Sequence, residues 1–238
     1  MNLKEKLHYF TPQEFALWLG SMTVIIVSYL LFGGNGSLNF ISSLVGVTAL
    51  ILCAKGNPIG QVLMVIFCVL YAVIAWNFHY FGELITYAFM SLPMAVVALI
   101  SWIRHPYQGN SSEVEVGIVT SKDWLWMSVL TVTVTVVFYF ILRFFCTPNL
   151  IPSTISITTS FYAVLLTAKR SPYYAVAYFC NDIVLIVLWI LAARENSAYV
   201  SVVMCFAMFL LHDGYGFICW RNMQRRQRGI EYNERNLP

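Results

Sequence analysis

The sequence predicts an all-α integral membrane protein with eight transmembrane helices: one N-terminal helix followed by a parallel three-plus-one-plus-three repeat core. Three observations carry this. Of 238 residues, 59% are hydrophobic and only 11% charged, and the mean hydropathy is +0.71, which excludes a soluble domain of this length. Eight apolar runs, at 14–32, 39–54, 59–77, 82–103, 123–146, 150–168, 172–192 and 197–220, approach the roughly 20 residues a bilayer-spanning helix needs. The chain also matches itself. Shifted by 114 positions, Ile41, Ser42, Ala49, Leu52, Ala54, Lys55 and Pro58 fall on Ile155, Ser156, Ala163, Leu166, Ala168, Lys169 and Pro172.

Residues 1–38 form a polar tail and an additional span. Thr11 can cap that helix with Pro12 in its first turn, and the breaker cluster Gly33-Gly34-Asn35-Gly36-Ser37 ends it. The span carries almost no polar residue deep inside, so it reads as peripheral. Residues 39–104 are the first three-helix repeat and 150–221 the second. Each runs through a Lys-x-x-Pro turn and ends on a Trp near an Arg: Trp102 and Arg104, then Trp220 and Arg221. Three helices is an odd number, so the repeats share an orientation only if one more span separates them. Residues 105–149 supply it, as a polar linker and a connecting helix, and 222–238 are a basic tail.

Charge sets the orientation. With a cytoplasmic N-terminus, twelve of the fourteen basic residues fall inside and only Arg143 and Arg194 outside, as the positive-inside rule requires. Both termini are then cytoplasmic, and the net charge of +3 needs no nucleic-acid partner. The six cysteines lie in or at the edges of spans without CxxC spacing, which argues against a disulfide framework or a metal site. No HExxH, GxSxG or Walker-type motif occurs. The reading is therefore non-enzymatic, with no catalytic residue and no cofactor.

Polar and aromatic groups deep in spans mark a solute path by default. In the seventh span Tyr174, Tyr178, Asn181, Leu185 and Trp189 recur at helical spacing and form one stripe. An amide among aromatic faces suits a flat polar heteroaromatic solute; the alternative is helix packing with Asn181 as interhelical glue. Tyr71, Trp76 and Tyr87 are further candidate contacts. Pro93 predicts a kink in the fourth span. Glu83, Asp182, His212, Asp213, Tyr215 and Trp220 read as gate or structural polar groups. Asp182 follows Asn181 and so points about 100° away, toward a neighbouring helix. The same divergence separates His212 from Asp213 and weakens a proton relay through both.

Leu70-Tyr71, Glu83-Leu84, Leu92-Pro93-Met94, Asn181, Gly214-Tyr215-Gly216 and Trp220-Arg221, in this order and spacing, resemble the PnuC family of bacterial vitamin B3 transporters over about residues 39–221. The resemblance implies uptake of nicotinamide riboside across the bacterial inner membrane and the core architecture of SWEET sugar transporters. It further implies a homotrimer and facilitated diffusion, with the solute trapped by cytoplasmic phosphorylation. Asn181, Trp189, Tyr71, Tyr87, Trp76 and Tyr178 are then the expected substrate contacts. The chain departs from the family where Ala95 and Phe67 replace a common Gln and a frequent Asn. A carrier of another vitamin or a sugar on the same fold, and a non-transporting membrane subunit or receptor, remain as alternatives.

Overall fold

Two threonines start the helices that stand outside the repeats. In the computed structural model, which describes residues 9–32, 36–77 and 81–235, Thr11 Oγ1 accepts from the Glu14 backbone N–H at 3.3 Å, and Glu14 Oε2 accepts from the Thr11 N–H at 2.7 Å. Thr120 and Asp123 form the same reciprocal pair. Each box satisfies two backbone donors that a helix start leaves open. From them run α1 (Pro12–Phe32) and α6 (Ser121–Phe144).

The first repeat is α2 (Ser37–Ala54), α3 (Pro58–Asn77) and a composite third member: α4 (Phe81–Ile85), a π-helical turn (Thr86–Ser91) and α5 (Leu92–Arg104). The second is α7 (Leu150–Ala168), α8 (Tyr173–Ala193) and, after a 3₁₀ turn at Ser197–Tyr199, α9 (Val200–Arg235). Among the described residues eight segments are long and apolar enough to cross a bilayer, and they coincide with the eight expected spans. Three members of the breaker cluster, Gly33, Gly34 and Asn35, lie outside the described residues.

The 114-residue shift is repeated in the bonding. Gly56 and Arg170 both take left-handed φ, +67° and +56°, and donate to Cys53 O and Thr167 O respectively. Left-handed backbone suits glycine and strains arginine, so the shared turn outlasts a poor residue choice in the second half. The two halves are tied reciprocally. Trp102 Nε1 donates to Thr167 O at 2.9 Å, Trp220 Nε1 donates to Cys53 O at 2.8 Å, and the two rings meet at 5.2 Å between centroids.

Outside the repeats, both helices lock onto the Lys-x-x-Pro turns. Buried Glu14 accepts from Lys55 Nζ at 3.0 and 2.9 Å and from Tyr215 OH at 3.2 Å. Asp123 accepts from Lys169 Nζ at 2.6 Å. The first span is thus not a bare addition, because Glu14 bonds both halves.

The polar linker folds into structure that composition did not predict. A hairpin of β1 (Pro106–Tyr107) and β2 (Asn110–Val114) leads into a strap. Val114 N donates to Gly56 O at 2.9 Å and Gly117 N to Arg170 O at 3.0 Å, while Gln227 on the extension of α9 accepts from Val116 N and donates to Val114 O. A Cβ on Gly117 would collide with Lys169 O. Gly117→Ala is expected to cost about 1–3 kcal/mol, read as a lowered melting temperature of purified protein; melting at the wild-type temperature would show that the strap is not fixed here.

Candidate functional site

A single stripe of α8 becomes one wall of a cavity between the repeats. The cavity measures about 180 Å³, and Tyr174, Tyr178, Asn181, Leu185 and Trp189 all border it. Facing them are Phe67, Cys68 and Tyr71 from α3, Ala95 from α5, and Phe206, Phe209 and Asp213 from α9. The predicted kink supplies another side. Pro93 has no N–H to continue the helical ladder, and the chain widens immediately before it into the π turn, the form such interruptions often take near functional sites. That turn carries Thr86, Tyr87, Met90 and Ser91 into the cavity and sets the Tyr87 ring 4.9 Å from Tyr71, which in turn lies 4.6 Å from Phe67.

Asn181 is held in place by α7. Ser156 Oγ donates to its Oδ1 at 3.1 Å and Thr159 Oγ1 at 2.8 Å. The carbonyl is therefore committed, and the Nδ2 donors remain for a ligand. These two hydroxyls were missed in the sequence, although Ser156 lies in the repeat match. Asp182 and Asp213 are each 4% exposed, and both border the cavity. Asp182 Oδ2 is buried without a partner. The expectation that Asp182 points away from the solute path is corrected, because the cavity wraps around α8 and reaches both adjacent residues.

The repeat frame makes the two walls comparable. Shifting by 114 places Phe67 on Asn181 and Cys68 on Asp182; counting seven residues back from Trp102 and Trp220 places Ala95 on Asp213. All six side chains border the cavity. One half presents an amide and two carboxyls, the other a phenyl ring, a thiol and a methyl. Among the described residues no Lys, Arg or His borders it.

At the end bearing the Lys-x-x-Pro turns the cavity is floored by aromatics. Tyr174 OH donates to Cys53 O at 3.3 Å, the same carbonyl that Trp220 holds, and the Tyr174 and Trp220 rings lie 5.0 Å apart. Trp102 and Trp220 are fully buried, so no path to solvent passes between them.

Other candidates fall elsewhere. Trp76, expected among the contacts, is 63% exposed and does not border the cavity; it lies at the end of α3, past the turn where that helix faces inward. His212 is buried away from the cavity, with Nδ1 bonded to Met208 O at 2.9 Å. Tyr215 is taken up by Glu14. The side chain of Glu83 lies outside the described residues.

With this geometry in hand, known proteins supply a comparison. A family profile described as "Nicotinamide mononucleotide transporter" matches residues 36–222. A curated "Nicotinamide riboside transporter PnuC" from Neisseria mucosa is 22% identical over 218 residues, spanning 90% of this chain and 83% of that protein. Another of the same description from Haemophilus influenzae is 23% identical over 192 residues, spanning 79% and 81%. A solved structure described as "Crystal structure of the Vitamin B3 transporter PnuC" is 20% identical and shares the fold with a TM-score of 0.77, over 92% of this chain and 94% of that one.

Proposed function

The chain belongs to the nicotinamide mononucleotide transporter family, and from that premise we propose that it carries nicotinamide riboside, the solute named for its curated relatives. Transport runs down the solute's own gradient by alternating access across the bacterial inner membrane, with cytoplasmic phosphorylation trapping what enters. The basic end of the bundle faces the cytoplasm, and the working unit is a homotrimer with the core architecture of SWEET sugar transporters.

One observation carries the choice of riboside over mononucleotide: two carboxyls border the cavity and, among the described residues, no basic side chain does. A phosphate monoester brings up to two negative charges, each opposed by about 3 kcal/mol at 5 Å from a carboxylate in a medium of effective dielectric about 20. The riboside has a cationic ring, an amide and hydroxyls. Tyr71, Tyr87 and Trp189 offer ring faces that attract such a cation, and Asn181 offers amide donors. Calorimetry on purified protein is expected to give riboside binding at least about 100-fold tighter than mononucleotide binding, a gap of about 2.7 kcal/mol, with no heat from thiamine or glucose. Equal or tighter binding of the mononucleotide would overturn the assignment.

A further inference from the structure

The strongest unassigned feature is the carboxyl pair. Asp182 and Asp213 come from different helices of the second half, are both almost fully buried, and both border the cavity. Two carboxyls buried at one cavity resist ionising together, so the pair keeps a proton. With one proton held there, the pair carries one negative charge. Asp182 Oδ2 has no donor within reach, and no Lys, Arg or His among the described residues borders the cavity to neutralise it. An uncompensated charge in a low-dielectric site is costly, and the repeat-equivalent Cys68 and Ala95 show that the frame itself does not need carboxyls at these positions.

We propose that Asp182 and Asp213, sharing one proton, form the counter-charge for a cationic heteroaromatic solute and give the cavity its preference for the cation over a neutral molecule of the same shape. The proposal rests on the riboside reading. It assigns the pair a fixed charge that needs no proton movement during transport, consistent with diffusion down the solute gradient. It also fixes the side of the cavity the ring takes: the pyridinium lies toward α8 and α9, with the aromatic side chains of α3 and the π turn across from it.

The test compares nicotinamide riboside with its neutral 1,4-dihydro form by calorimetry on the full-length protein in detergent. The wild-type protein is expected to favour the cation by at least about tenfold, or about 1.4 kcal/mol. Asp182→Asn and Asp213→Asn each replace one acid with an amide that still donates, so the remaining carboxylate keeps the single charge. Each single variant should therefore retain the preference within about threefold. The double variant removes the charge and should bind both forms alike, with neutral-form affinity within about threefold of wild type. Preference retained in the double variant, or abolished in either single one, overturns the proposal. So does a loss of affinity for both forms together, which a structural role predicts. If the double variant does not fold, the single variants decide by the same criterion. Binding of neither form by wild-type protein would instead sink the riboside reading itself.

Discussion

Trp220→Ala is expected to lower the stability of the purified protein by about 3–5 kcal/mol. Trp220 is fully buried, donates to Cys53 O at 2.8 Å, and packs against the rings of Trp102 and Tyr174 at 5.2 and 5.0 Å. In a membrane, water does not drive helices together, so close packing and interhelical hydrogen bonds carry the association; alanine here removes both between the halves. Thermal unfolding in detergent measures it. Trp220→Phe should fall between, because a ring still fills most of the space while the bond, worth about 1 kcal/mol, is lost. A Trp220→Ala protein that melts with wild type would mean the indole pair does not hold the repeats together.

Asn181→Ala is expected to weaken riboside binding by about 10- to 100-fold, or about 1.4–2.7 kcal/mol, while leaving the melting temperature near wild type. The separation follows from the partners. Thr159, whose single hydroxyl proton serves the Asn181 carbonyl, also has Ile155 O within 3.0 Å, so it can turn to that acceptor when the amide is gone. What is lost is the pair of Nδ2 donors facing the cavity. Unchanged riboside affinity by calorimetry would remove Asn181 from the binding site.

These two residues illustrate what could be read before any coordinates. The Tyr174-to-Trp189 stripe was legible because helical periodicity alone puts its members on one face, and all of them border the cavity. The repeat was legible because its turn needs a residue pattern, Lys-x-x-Pro, that survives in both halves. The Asp182–Asp213 pair was not, since meeting across two helices depends on how α8 and α9 are rotated against each other, which neither helix encodes alone. Nor was the exclusion of Trp76, where the question is how far a cavity extends along α3. Pro93 announced an interruption but not its form, and the hairpin in the linker rests on bonds to Gly56, Arg170 and Gln227, residues distant in sequence.

The unequal walls of the cavity have a mechanical consequence. At the repeat-equivalent positions the amide and the two carboxyls, Asn181, Asp182 and Asp213, all project from α8 and α9, so under the proposed riboside reading the solute's charge is anchored on the second half. On the proposed alternating-access scheme that half would carry the cargo and the first half would slide past it, with Phe67, Cys68 and Ala95 offering little to break.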